Sequence, residues 1–149
     1  MKKIPLKQGL AIMSLIMALA PENLVYAHDL SGSLGFASTS IDYFQVHCFD
    51  DGAGPNGYLE VALKDIAPVA TPKISLQVIR DNMATNTTDP IDGDAGESPI
   101  LSVNGSGDQY YLLTIDKTAA GAENYSVEYH CMTNDNQHTG TELYMITNQ

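Results

Sequence analysis

The sequence predicts an all-β domain, an antiparallel β-sandwich or jelly roll of seven or eight strands with one disulfide. Three observations carry this. Short runs alternate apolar and polar residues with a period of two. Clusters of Gly, Pro, Asn, Asp and Ser separate those runs at regular spacing, and no run after residue 27 keeps a helical period.

Residues 1–27 read as a signal peptide and stand outside the fold. Lys2, Lys3 and Lys7 make a positive n-region, Gly9 to Ala20 an apolar stretch, and Ala27 the small residue at a cleavage point. The apolar stretch is shorter than the roughly 20 residues a spanning helix needs. The chain from His28 to Gln149 is then a single domain, secreted or periplasmic, with no membrane attachment after cleavage. Removing Lys2, Lys3, Lys7 and Glu22 leaves four basic and seventeen acidic residues, a formal charge of −13. A surface so acidic repels nucleic acid and anionic lipid.

The elements follow in order. Leu34 and Phe36 are the inward positions expected of a short first strand. Ile41 to Phe49 alternates, with Phe44, Val46 and Cys48 on one face and Tyr43, Gln45 and His47 on the other. The turn cluster from Asp50 to Gly57 leads into Tyr58 to Asp65, where Leu59, Val61 and Leu63 point inward. After a connection holding Pro68 and Pro72, Ile74, Leu76 and Val78 mark another strand. Asp81 to Ser98 reads as one long polar loop of the kind that is usually functional. Pro99 to Val103 and Gln109 to Asp116 read as a hairpin about the Asn104-Gly105-Ser106-Gly107 turn. Tyr125 to Met132 and Thr141 to Ile146 close the fold.

Two cysteines in an exported chain pair most simply as Cys48 with Cys131. Closing a loop of that length contributes at most roughly 4 kcal/mol. A bridge between adjacent strands would set His47 beside Met132. A bridge between two sheets would instead put His47 and His130 on opposite outer surfaces, and sandwich bridges commonly join sheets. The immunoglobulin variant lacks its core tryptophan, since the chain has none.

The run Asp108-Gln109-Tyr110-Tyr111-Leu112-Leu113-Thr114-Ile115-Asp116, a Gly-containing turn, and Asn124-Tyr125-Ser126-Val127-Glu128-Tyr129 together resemble the closing hairpin of bacterial pre-peptidase C-terminal (PPC-like) domains. The resemblance covers about residues 108 to 131. It implies an exported β-sandwich module of the kind that accompanies secreted enzymes and binds calcium or matrix.

Two sets of residues could hold a metal. For copper, His28 would offer both an α-amine and an imidazole if cleavage follows Ala27, and His130 with Met132 resembles the His-x-Met ligand pairs of periplasmic copper chaperones. His47 and His138 could add to that set. For calcium, Asp89, Asp92, Asp94 and Glu97 space four carboxylates among turn glycines, although not at EF-hand intervals. Each set also has an ordinary reading, as strand histidines or as a solvated acidic loop.

No G-x-S-x-G elbow, H-E-x-x-H or P-loop occurs. The expected function is therefore a non-enzymatic binding or interaction module. Tyr43, Tyr58, Tyr110 and Tyr111 are candidate contacts for an extracytoplasmic protein or glycan. A copper-binding protein and an orphan hydrolase are the alternatives.

Overall fold

The computed structural model describes residues 28–68 and 71–149, so the expected signal peptide over residues 1–27 lies outside the described residues. The described chain is all-β. Nine strands run in order: β1 (His28–Leu34), β2 (Asp42–Phe49), β3 (Tyr58–Ile66), β4 (Ile74–Arg80), β5 (Met83–Thr88), β6 (Leu101–Asn104), β7 (Gln109–Lys117), β8 (Glu123–Met132) and β9 (Gly140–Thr147). They form two antiparallel sheets, β1-β8-β3-β6 and β5-β4-β7-β2-β9.

The pairings β1 with β8, β2 with β7, β3 with β6 and β4 with β5 describe one long ladder folded at the β4–β5 turn and rolled into two layers. That is jelly-roll winding, with β9 added beside β2. Alternation explains why the layers stick. Phe44, Val46 and Cys48 of β2, Leu59, Val61 and Leu63 of β3, Leu76 and Val78 of β4, Tyr111, Leu113 and Ile115 of β7, and Tyr125, Val127 and Tyr129 of β8 all face one shared core. Cys48 and Cys131 join β2 to β8 across that core, with 5.5 Å between their Cα atoms.

Four expectations need correction. The described residues form nine strands, not seven or eight, because Met83–Thr88 forms β5 inside the stretch read as a single loop. Its residues are mostly exposed on both faces, so it lacks the alternation that marks a half-buried strand. Phe36 is 75% exposed rather than inward, since the chain leaves β1 after Leu34 and the Gly35 amide turns to the Gln149 carbonyl. β6 and β7 are not a hairpin: β6 pairs with β3 and β7 with β2 and β4, so the Gly105 to Asp108 turn passes between sheets. By the same winding β7 and β8 lie in different sheets, and the stretch from 108 to 131 is a crossover rather than a closing hairpin.

Candidate metal centre

The inward phase of four strands does not end in an apolar residue. Asp42 continues the row of Phe44, Val46 and Cys48; Asp65 continues that of Leu59, Val61 and Leu63; Lys117 follows Tyr111, Leu113 and Ile115; Glu123 precedes Tyr125, Val127 and Tyr129. All four are buried. The strand registers bring them to the end of the sandwich remote from the disulfide. One end of the core is therefore closed by charge.

Two of these groups are held by neutral partners. Asp42 accepts hydrogen bonds from the Tyr125 hydroxyl and, at 2.8 Å, from the Gln149 amide. Lys117 donates through Nζ to the Gly35 and Gly121 carbonyls. Asp65 and Glu123 differ. Each has no exposed surface, yet among the described residues none of their four carboxylate oxygens has a hydrogen-bond donor in bonding geometry. Such groups are costly to bury and call for a partner.

Asp92 completes the set. Its loop continues the edge of β3 beyond β6: Ser98 donates its amide to the Leu63 carbonyl at 2.7 Å, and its hydroxyl accepts from the Leu63 amide at 3.0 Å. Gly93, at φ 70°, takes the left-handed turn that lets its amide reach the Asp65 carbonyl at 3.1 Å. Oxygens of Asp65, Asp92 and Glu123 thus lie within 4.8 Å of one another. Calcium–oxygen bonds of about 2.3–2.6 Å allow donors on opposite sides of one ion to stand roughly 4.6–5.2 Å apart.

The electrostatics agree with the geometry. Burial, then the Asp92 and Glu123 charges, and least Asp89, push the Asp65 carboxyl up to about 7, against an opposing pull from the Ile74 backbone amide. Glu123 is raised by burial and then by Asp92, with Lys117 opposing. Carboxyls that resist ionisation together are groups that a proton or a cation would stabilise. Hard oxygen donors of this kind select Ca²⁺ or Mg²⁺ over softer ions.

The calcium set expected from sequence is corrected here, because Asp89, Asp92, Asp94 and Glu97 do not converge. Asp89 is structural, accepting from the Asp65 amide at 2.8 Å and the Ile91 amide at 3.1 Å. Asp94 is exposed and accepts from the Gly96 amide at 2.6 Å. Glu97 lies 3.4 Å from the Lys64 ammonium. Only Asp92 of the four joins the cluster. Asp65 and Glu123 were missed, although a charged residue continuing an inward phase was their signal.

The copper set divides. His47 lies on the outer face of the β2 sheet, with Nε2 2.8 Å from Asp108, Nδ1 3.5 Å from Glu142, and its ring stacked on Tyr110. It cannot join the others, because the disulfide crosses the core. His28, His130 and His138 do gather at the opposite edge, where β1 begins. Ring centres are 6.4 Å apart for His28 and His130 and 4.7 Å for His130 and His138. Met132, on the outer face shared with His130, pairs with His138 in an isolated bridge. Burial first, then His130, holds the His28 and His138 imidazoles below their ordinary range.

Of the candidate contact tyrosines, Tyr110 is exposed and Tyr43 and Tyr58 are half-buried. Tyr111 is corrected: it is a fully buried core residue whose hydroxyl accepts from Asn56 at 3.1 Å.

A scan against family models and a search of curated proteins both return no match. Among solved structures, the chain is similar to the crystal structure of Yersinia pseudotuberculosis-derived mitogen, at a TM-score of 0.40 and 11% identity over 78% of this chain and 95% of that one. At that score the likeness carries no argument about function.

Proposed function

We propose that this protein is an exported, non-enzymatic binding module whose charged end is locked by a hard divalent cation of the Ca²⁺ class, held by Asp65, Asp92 and Glu123. The observation that carries the reading is the pair of fully buried carboxylates, Asp65 and Glu123, none of whose oxygens has a donor in bonding geometry among the described residues. A cation there neutralises the repulsion and ties the Asp92 loop to the two central strands of its sheet. Calcium takes six to eight oxygens, so carboxylates, backbone carbonyls and water would share the shell.

Two of the three carboxylates, Asp65 and Glu123, are enclosed and Asp92 is half-buried, which favours a structural ion over a catalytic one. A carboxyl with no exposed surface does not meet a substrate from outside. Export is supported by the disulfide, since such bonds persist in oxidising compartments. For the partner, the exposed rings of Tyr110 and Tyr144 on the outer face of the β2 sheet offer contact area of the kind protein or glycan partners use.

Isothermal titration of the metal-free protein with Ca²⁺ tests the reading. One site per chain, abolished in Asp65→Asn, is the expected result. No binding up to the ~1 mM range typical of extracellular calcium modules removes it.

A further inference from the structure

We propose that His28, His130 and His138 form a second metal site, at the edge of the β1-β8 sheet, that takes a late first-row divalent ion through imidazole nitrogens. Cu(II) is the ion favoured by affinity order. This site is separate from the carboxylate cluster: Glu123 and His130 sit seven residues apart on β8, about 23 Å along the strand.

The first support is spacing. Metal–nitrogen bonds of about 2.0 Å place an ion roughly 3 Å from the ring centre, so two imidazoles sharing one ion stand about 4.5–6.5 Å apart. The observed separations, 4.7 Å for His130 with His138 and 6.4 Å for His28 with His130, fall in that range.

The second support is the protonation pattern at His130. Its Nε2 lies 2.7 Å from Glu128 Oε1. An ionised carboxylate only accepts, so the neutral ring carries its proton on Nε2 and its lone pair on Nδ1. That Nδ1 is buried and has no hydrogen-bond partner among the described residues, and the same holds for Nδ1 of His28. A carboxylate holding the far nitrogen of a histidine whose near nitrogen is left bare is the arrangement that orients metal-ligating imidazoles. An ordinary strand histidine would find a donor for that nitrogen or expose it to water.

Donor type sets the ion. Imidazole suits Cu, Zn and Ni, and copper stands highest among divalent first-row ions. Neither cysteine is free to offer thiolate, because Cys48 and Cys131 are bridged.

The test uses the purified, disulfide-bonded protein and CuCl₂ alone. In a proton NMR titration, substoichiometric Cu(II) should broaden the imidazole resonances of His28, His130 and His138 together while those of His47, on the far sheet, stay sharp. Glu128→Gln should keep the fold, judged by an unchanged melting curve, and weaken Cu(II) by about tenfold or more. Broadening confined to His28 would mean copper held at that residue alone and would overturn the proposal. So would equal broadening of all four histidines, or an affinity in Glu128→Gln equal to that of the unaltered protein. Loss of Ca²⁺ binding in Asp65→Asn leaves these readouts untouched, so the two sites fail independently.

Discussion

Asp65 on β3 and Glu123 on β8 bring carboxylate oxygens within 4.8 Å of each other inside the sandwich, with neither side chain exposed. Asp65 stands opposite Tyr125 in the ladder, so Glu123 is its diagonal neighbour on the same inner face. The register itself creates the repulsion.

The contribution of Asp65 to the stability of the metal-free protein should therefore fall as pH rises from about 4 to about 7. Asp65 has its carboxyl raised from 3.8 to about 7 in the fold, so between those values the native state holds a proton that the unfolded chain has released. Fewer protons on the unfolded state give a negative slope of unfolding free energy with pH. The contribution is fully present below 3.8 and lost as pH passes through 7; Glu123, also raised, acts in the same direction. Urea melts at pH 5 and 8 with chelator present measure it. His28 and His138, held below their ordinary range, act in the opposite direction, so the profile is read against that of Asp65→Asn. Identical profiles for the two proteins across that window count against the buried cluster.

Asp65→Asn should change sign with conditions. At pH 8 without cation it relieves charge repulsion and should stabilise by about 1–3 kcal/mol, less than the full Coulomb gain because a buried amide also needs partners. At pH 4, where Asp65 is itself protonated, the gain should vanish. With calcium, the variant should be the less stable protein. Parallel melts of the two proteins in these three conditions provide the check.

Much of this was readable from alternation alone. The inward rows of β2, β3, β4 and β8 follow from period two, and the bridge follows from both cysteines lying in those rows. Strand partners were not readable, because alternation fixes a strand's face and not its neighbour. The four residues from Gly105 to Asp108 suit a hairpin and a crossing between sheets equally well, and the rolled ladder chose the crossing. β5 stayed hidden because Met83 to Asn86 are exposed on both faces. Of the three carboxylates in the candidate metal set, one was legible. A single loop rich in Asp drew attention to Asp92, whereas Asp65 and Glu123 lie 58 residues apart and meet only through the β3–β8 pairing.

Removing the bridge should cost up to about 4 kcal/mol, since Cys48 and Cys131 close a loop 83 residues long. Cys48→Ala with Cys131→Ala should still fold, because the core rows remain. Urea titration of the pair variant gives the loss, and a mass two hydrogens below the thiol form confirms the bond in the unaltered protein. A change under 1 kcal/mol would mean that the bridge adds little beyond the core.

Tyr125→Phe should destabilise by about 1–3 kcal/mol, leaving a buried carboxylate oxygen of Asp42 without its hydroxyl donor. Packing should survive, because Phe keeps the ring that lies against Gly32, where a Cβ would sit 2.3 Å from the tyrosine hydroxyl. Pairing the variant with Asp42→Asn in a double-mutant cycle isolates the bond. Strict additivity of the two changes would show that it contributes nothing.

The most direct test of the cation site is thermal melting of the chelator-treated protein at pH 7.5 in millimolar CaCl₂, against MgCl₂ and against NaCl of matched ionic strength. Stabilisation by a bound ion grows as RT ln(1 + [L]/Kd), about 2.7 kcal/mol at a hundredfold excess over Kd, whereas screening by monovalent salt saturates and lacks specificity. The account predicts a rise with Ca²⁺ well beyond that with NaCl, absent when Asp65→Asn and Glu123→Gln are combined and retained in Asp94→Asn. A Ca²⁺ effect no larger than that of matched salt, or one that survives the double substitution, would contradict it.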